Sequence, residues 1–179
     1  MTITTVSDYR IWVGSMGAYN NGTLLGEWID AEDASWKVDE LVAKWHKANP
    51  IVNGDEWFIG DHEGFGDAWP GGENPDLLQL GALAEALEEH GEPFAEFAGN
   101  GSYGNDTADN VEAFEEAYQG EWDSMEDFAC DHADGCGLLA QMPESIRCYF
   151  DHAAYARDLE GGYWTARTAS GGVYVYLSL

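Results

Sequence analysis

The sequence predicts an α+β fold, because short β-prone runs lie at both ends of the chain and runs with helical apolar spacing fill its middle. A third observation supports a folded protein: 45% of the 179 residues are apolar and 13% aromatic, enough to offset chain entropy despite a formal charge of -27. The expected layout is a small antiparallel-sheet N-terminal subdomain over residues 1–70, a helical acidic middle over 71–108, and an α+β C-terminal subdomain over 109–179 that ends in a hairpin.

RIWVGSMG at 10–17 and LLGEWI at 24–29 read as two strands, and the Asn21-Gly22 pair between them is a hairpin signal. From Asp33 to His46, Trp36, Val38, Leu41, Val42 and Trp45 recur at helical spacing, with Asp33 or Ser35 as cap. EWFI at 56–59 supplies a third strand before the Gly- and Pro-rich GFGDAWPGGENP, which reads as a boundary. Pro75 then opens a helix whose stripe is Leu77, Leu80, Leu83, Ala84 and Leu87, with Gly91 as the C-cap. A second helical piece, PFAEFA, leads through the loop GNGSYGND to a helix over ADNVEAFEEAYQ, capped by Asp106 or Thr107 with Val111, Phe114 and Tyr118 inward. Ser124, with Asp127 three residues later, opens another helix, and PESIRCYFDHAAYARDLEGG holds one or two more. YWTART and VYVYLSL, joined by Ala169-Ser170-Gly171-Gly172, form the terminal hairpin.

Thirty-four acids stand against seven Lys and Arg. That balance argues against nucleic acid or an anionic membrane as a direct partner and calls for a basic one. Between Lys47 and Arg147 lie 99 residues with 24 Asp and Glu and no Lys or Arg, whereas residues 161–179 contain no acid. Acids crowd the helices at spacings of three and four, where like charges repel. Since B-DNA carries about one charge per 1.7 Å, 27 charges match roughly 46 Å of duplex. A rigid acidic surface of this size competes for a basic DNA groove. Salt adaptation is the bland alternative, weakened by the acid-free C-terminal segment.

Local chemistry is sparse. Gly99-Asn-Gly101-Ser-Tyr-Gly104 matches G-x-G-x-x-G but follows a helical stretch and has no basic residue near it. Cys130, His132, Asp134 and Cys136 are metal-capable, yet C-x5-C is not a zinc spacing and reads as a structural thiol and histidine. Three cysteines give no even disulfide framework, which favours a reduced compartment. The first residues lack a leader pattern and no stretch is apolar enough for a membrane span, so the expected location is the cytoplasm. Trp12, Trp28, Trp36, Trp45 and Trp57 fall on predicted elements and read as core, although a glycosidase with paired carboxylates beside exposed Trp is a rival. G-x-S-x-G, P-loop and H-E-x-x-H motifs are absent, and neither an enzyme nor a cofactor is implied.

IWVGSMGAYNNGTLLGEWIDA, EWFIGDHEGF, EEAYQGEWDSMEDFA and YFDHAAYARDL resemble, in order, blocks of the ArdA antirestriction proteins. The resemblance implies an elongated three-part DNA mimic that dimerises through its C-terminal part. Such a protein presents carboxylates to type I restriction-modification enzymes, in the DNA-binding groove of their specificity and methyltransferase subunits. The acids chosen by density for that contact are Asp76, Glu85, Glu88, Glu89, Glu92, Glu96, Asp109, Glu112, Glu115, Glu116, Glu121, Asp123, Glu126 and Asp127. Tyr149, Tyr155 and the terminal strand VYVYLSL, read as an exposed edge, are the expected dimer surface, with a buried hairpin as the alternative. An acidic binding module for another basic protein shares every electrostatic feature.

Overall fold

Alternation decides the N-terminal sheet. In β1 (Arg10–Ser15) Ile11, Val13 and Ser15 are buried on one face while Arg10 and Trp12 take the other. The computed structural model describes residues 8–50, 54–101 and 106–179. β1 is the central strand, flanked by antiparallel β2 (Gly26–Asp30) and β3 (Trp57–Glu63). The β1–β2 connection is not the tight Asn-Gly hairpin that the sequence suggested. Ser15 caps a short helix, α1 (Met16–Asn20), by accepting from the Ala18 amide at 3.2 Å, and only then do Asn21 and Gly22 turn the chain. β3 runs four residues past the expected EWFI because a bulge at Gly60 lets pairing continue to Glu63.

The chain divides into two compact units, Met1–Val111 and Glu112–Leu179. In the first, α2 (Ala34–Ala48) packs Ala34, Val38, Leu41 and Trp45 toward the sheet. α3 (Leu77–His90) is capped by Asp76, whose carboxylate accepts from the amides of Leu78 and Gln79, and it buries Leu80, Leu83, Ala84 and Leu87. Gly91 ends it at φ 66°, a conformation costly for other residues, and donates its N–H to Leu87 O at 2.9 Å. α4 (Glu92–Asn100) follows with Pro93 in its first turn and buries Phe94 and Phe97. Of the five tryptophans read as core, Trp45 is buried, Trp12, Trp28 and Trp57 are half-buried, and Trp36 is exposed.

The unit boundary falls within α5 (Thr107–Ala117), where Asp106 accepts from the Asp109 amide as the cap. In the second unit Phe114 and Ala117 are buried, and at Tyr118 the chain leaves the helix for a strand that the sequence reading missed, β4 (Tyr118–Trp122). α6 (Met125–Gly135) opens at its N-cap Ser124, whose Oγ accepts from the Asp127 amide while its hydroxyl donates to the Asp127 carboxylate. After α7 (Glu144–Arg147) and α8 (His152–Leu159) come β5 (Tyr163–Arg167) and β6 (Val173–Leu177), and the sheet order is β4-β6-β5. β6 is therefore a central strand with Tyr174, Val175 and Tyr176 buried, paired on both sides. This corrects its reading as a free edge for self-association: β4 took the second side.

Candidate functional site

The fourteen chosen acids separate into two groups by what the fold asks of them. Asp76 caps α3, and Glu92, Asp109, Glu126 and Asp127 stand in first helical turns, where the positive end of the helix dipole favours carboxylates. Glu121 accepts from Ser170 Oγ at 3.1 Å, and Glu96 is half-buried. These seven have local structural reasons to be acidic or partly shielded.

Glu85, Glu88, Glu89, Glu112, Glu115, Glu116 and Asp123 are all exposed and have no such reason. Glu88 and Glu89 occupy the last turn of α3, and Glu115 and Glu116 the last turn of α5, where the dipole presents its negative end and favours Lys or Arg. Both α3 acids are exposed, and Glu85 adds like charge at three and four residues' distance. α6 repeats the pattern with Asp134 in its last turn. Asp127, Asp131 and Asp134, spaced by four and three, form an exposed row about 10 Å long at 1.5 Å rise per residue. Asp131 and Asp134 were missed, although their spacing from Asp127 was a readable signal.

Four of the seven Lys and Arg are engaged elsewhere. Arg10 lies near Asp30 at 3.7 Å and Glu63 at 3.9 Å, Lys37 pairs with Glu40 at 2.9 Å, and Lys44 pairs with Glu27, all acids outside the fourteen. Arg147 donates to the carbonyls of Met142 and Ala140. The acidic field is felt by its neighbours. The Cys130 thiol is pushed up by burial and then by Glu126, Asp127 and Asp134. Tyr9, whose hydroxyl donates to Leu87 O, is raised by burial, Asp8 and Glu88, and Tyr118 by burial and Glu121.

A family model for antirestriction protein (ArdA) matches residues 11–174. The chain belongs to the ArdA antirestriction family. ArdA membership implies an antirestriction role exerted on restriction enzymes, and the match runs through both structural units. Comparison with curated proteins finds no match.

Motifs that suggested other chemistry take ordinary structural places in this ArdA-family chain. His132 shares hydrogen bonds with Tyr155 OH at 2.9 Å and Tyr163 OH at 3.5 Å, and Cys136 Sγ donates to Ala133 O at 3.6 Å. Among the described residues no group of His, Cys, Asp and Glu is arranged to hold a metal. Cys130, Cys136 and Cys148 are free thiols. The G-x-G-x-x-G run begins inside α4, not after a strand, and its residues 102–104 lie outside those described. No helix among the described residues is long and apolar enough to cross a membrane.

Proposed function

We propose that the protein blocks type I restriction-modification enzymes as a DNA mimic, its carboxylates standing where DNA phosphates would lie in the groove of the specificity and methyltransferase subunits. The observation that carries this reading is the exposed acid at helix C-terminal turns, Glu88, Glu89, Glu115 and Glu116, placed against the fold's own electrostatic preference. Charge that lowers the stability of its own helix is retained for something outside it. A basic DNA groove is the complementary surface, and displacement of small ions from both surfaces makes the association salt-dependent.

The reading includes a homodimer made through the C-terminal region. Exposed apolar side chains of the second unit support it, with Tyr149 82% exposed and Ile146 47%, whereas Tyr155 is half-buried on His132. It also places the protein in the cytoplasm, where restriction acts, and assigns it no catalysis of its own.

The test is titration of the protein into ATP-dependent cleavage of unmodified plasmid by a type I enzyme, with a type II enzyme as control, at two salt concentrations. The expected result is near-stoichiometric inhibition of the type I reaction alone, needing less protein at low salt. Equal sensitivity of both enzymes, or of neither, contradicts the proposal.

A further inference from the structure

The open face of the N-terminal sheet carries an aromatic cleft that acidic helices do not account for. Strand alternation places Arg10, Trp12 and Gly14 of β1 there, opposite Asp30, Trp28 and Gly26 of β2. In β3, Phe58 and Asp61 are an odd number of residues apart and would face opposite ways in a regular strand. The register shift leaves Gly60 as an extra residue, so Phe58 lies opposite Gly14 and Asp61 opposite Trp12, and both join the open face. The result is a cleft of about 600 Å³ lined by Trp12, Tyr19, Trp28, Phe58, Asp61 and Glu73.

The cleft is built to hold its rings in place. A Cβ at Gly14 would come within 2.6 Å of Trp12 Cζ3, one at Gly60 within 2.8 Å of Trp12 Cε3, and one at Gly26 closer still to the same indole. Three glycines from three strands thus let Trp12 lie against the sheet, with the Phe58 ring edge-on at 5.8 Å and Tyr19 at 5.4 Å from Phe58. At one side of this face a guanidinium is already accommodated: Arg10 Cζ lies 5.6 Å from the Trp28 ring, with Asp30 and Glu63 beside it. Asp61, one oxygen of which accepts from the His62 amide at 2.9 Å, and Glu73 repeat the combination of ring and carboxylate, and among the described residues neither has an ion-pair partner.

We propose that this cleft receives an arginine side chain of the basic partner, its guanidinium against the Trp12 and Trp28 rings and paired with Asp61 and Glu73. Arginine suits the site better than lysine because its planar, weakly hydrated head stacks on aromatic faces while its N–H groups reach carboxylates. The identity of the partner rests on the DNA-mimic reading, whereas the cation chemistry of the cleft does not.

The experiment follows the indole N–H signals of Trp12 and Trp28 in the ¹⁵N-labelled full chain during titration with N-acetyl-arginine amide. N-acetyl-citrulline amide, the same shape without charge, and cellohexaose serve as comparison probes. The expected result is saturable movement of both signals with the arginine probe alone, with the apparent Kd raised about threefold or more by Asp61→Asn and unchanged by Asp158→Asn in the other unit. Equal response to citrulline, equal weakening by the two substitutions, or saturation by the oligosaccharide in place of arginine would overturn the proposal. Arginine-specific shifts in a protein that inhibits no type I enzyme would support the cleft while ending the DNA-mimic reading. Type I inhibition without arginine-specific shifts would end the cleft alone.

Discussion

Replacing Glu85, Glu88 and Glu89 by Gln should weaken inhibition and strengthen the fold at once. All three are exposed, so the substitutions remove charge with little change in packing or helix propensity. On the stability side, two like-charge pairs vanish, Glu85 with Glu88 and with Glu89, each destabilising by about 0.2–0.5 kcal/mol. Relief of the dipole clash in the last turn adds about 0.3–1 kcal/mol for each of Glu88 and Glu89. The sum is about 1–3 kcal/mol, a rise in Tm of about 5–15 °C for a unit of this size. On the binding side each lost charge contact costs about 0.2–1 kcal/mol, so inhibition of a type I enzyme should weaken by about 3- to 150-fold, with a shallower salt dependence. Calorimetry and plasmid-cleavage titration at two salt concentrations read the two signs separately. A variant with lower Tm would show that these carboxylates serve the fold. Unchanged inhibition at low salt would show that they do not touch the partner.

Other outcomes follow from the same geometry. Cys130 should be alkylated by iodoacetamide severalfold more slowly than exposed Cys148 at pH 8.5, and added salt should narrow the gap by screening Glu126, Asp127 and Asp134; peptide mass spectrometry over time reads both. Tyr9, Tyr118 and Tyr155 are held above their ordinary value, so the neutral phenol is favoured in the folded state. Their contribution to stability is full below about pH 10 and is lost as pH rises from there through the folded values, which urea midpoints on either side of pH 10 would show. Gly14→Ala drives a methyl into Trp12 and Phe58 and should destabilise by about 1–3 kcal/mol while altering the Trp12 indole signal; a wild-type Tm and spectrum would refute the packing described for that face.

Elements with strong local signals were legible in the sequence: the stripe Leu80, Leu83, Ala84, Leu87 with Gly91 behind it, the Ser124 cap, and the alternation of RIWVGS. What stayed hidden depended on partners distant in sequence. Tyr118–Trp122 is only five residues long and continues a helical pattern through Phe114. Nothing local says that it will pair with β6, and without β4 the terminal strand looked like an edge. The open-face cleft was illegible for a related reason, since a one-residue bulge at Gly60 reverses which face Asp61 joins. The acidic surface was legible as density only. Which carboxylates cap helices and which oppose them emerges from helix ends, which sequence fixes to within a few residues at best.

The choice between a partner surface and general salt adaptation turns on where acid is absent. A surface made acidic for solvation should be acidic wherever it meets water. In residues 161–179, Thr165, Arg167, Ala169, Ser170, Gly171, Ser178 and Leu179 are exposed, so the missing acids there are not explained by burial. One of these positions, Ala169, lies in the β5–β6 turn, where Asp and Asn are ordinary turn residues and would have been structurally welcome. Instead, acid accumulates at the last turns of α3, α5 and α6, where it is structurally unfavourable. A distribution that avoids permissive positions and occupies adverse ones is what a binding partner, not the solvent, would favour. It therefore predicts that moving charge, at constant net charge, from Glu88 and Glu89 to the exposed Ala169 and Ser178 would preserve solubility and abolish much of the inhibition. A salt-adapted surface would tolerate the transfer without functional loss, and a cleavage titration of that variant decides between them.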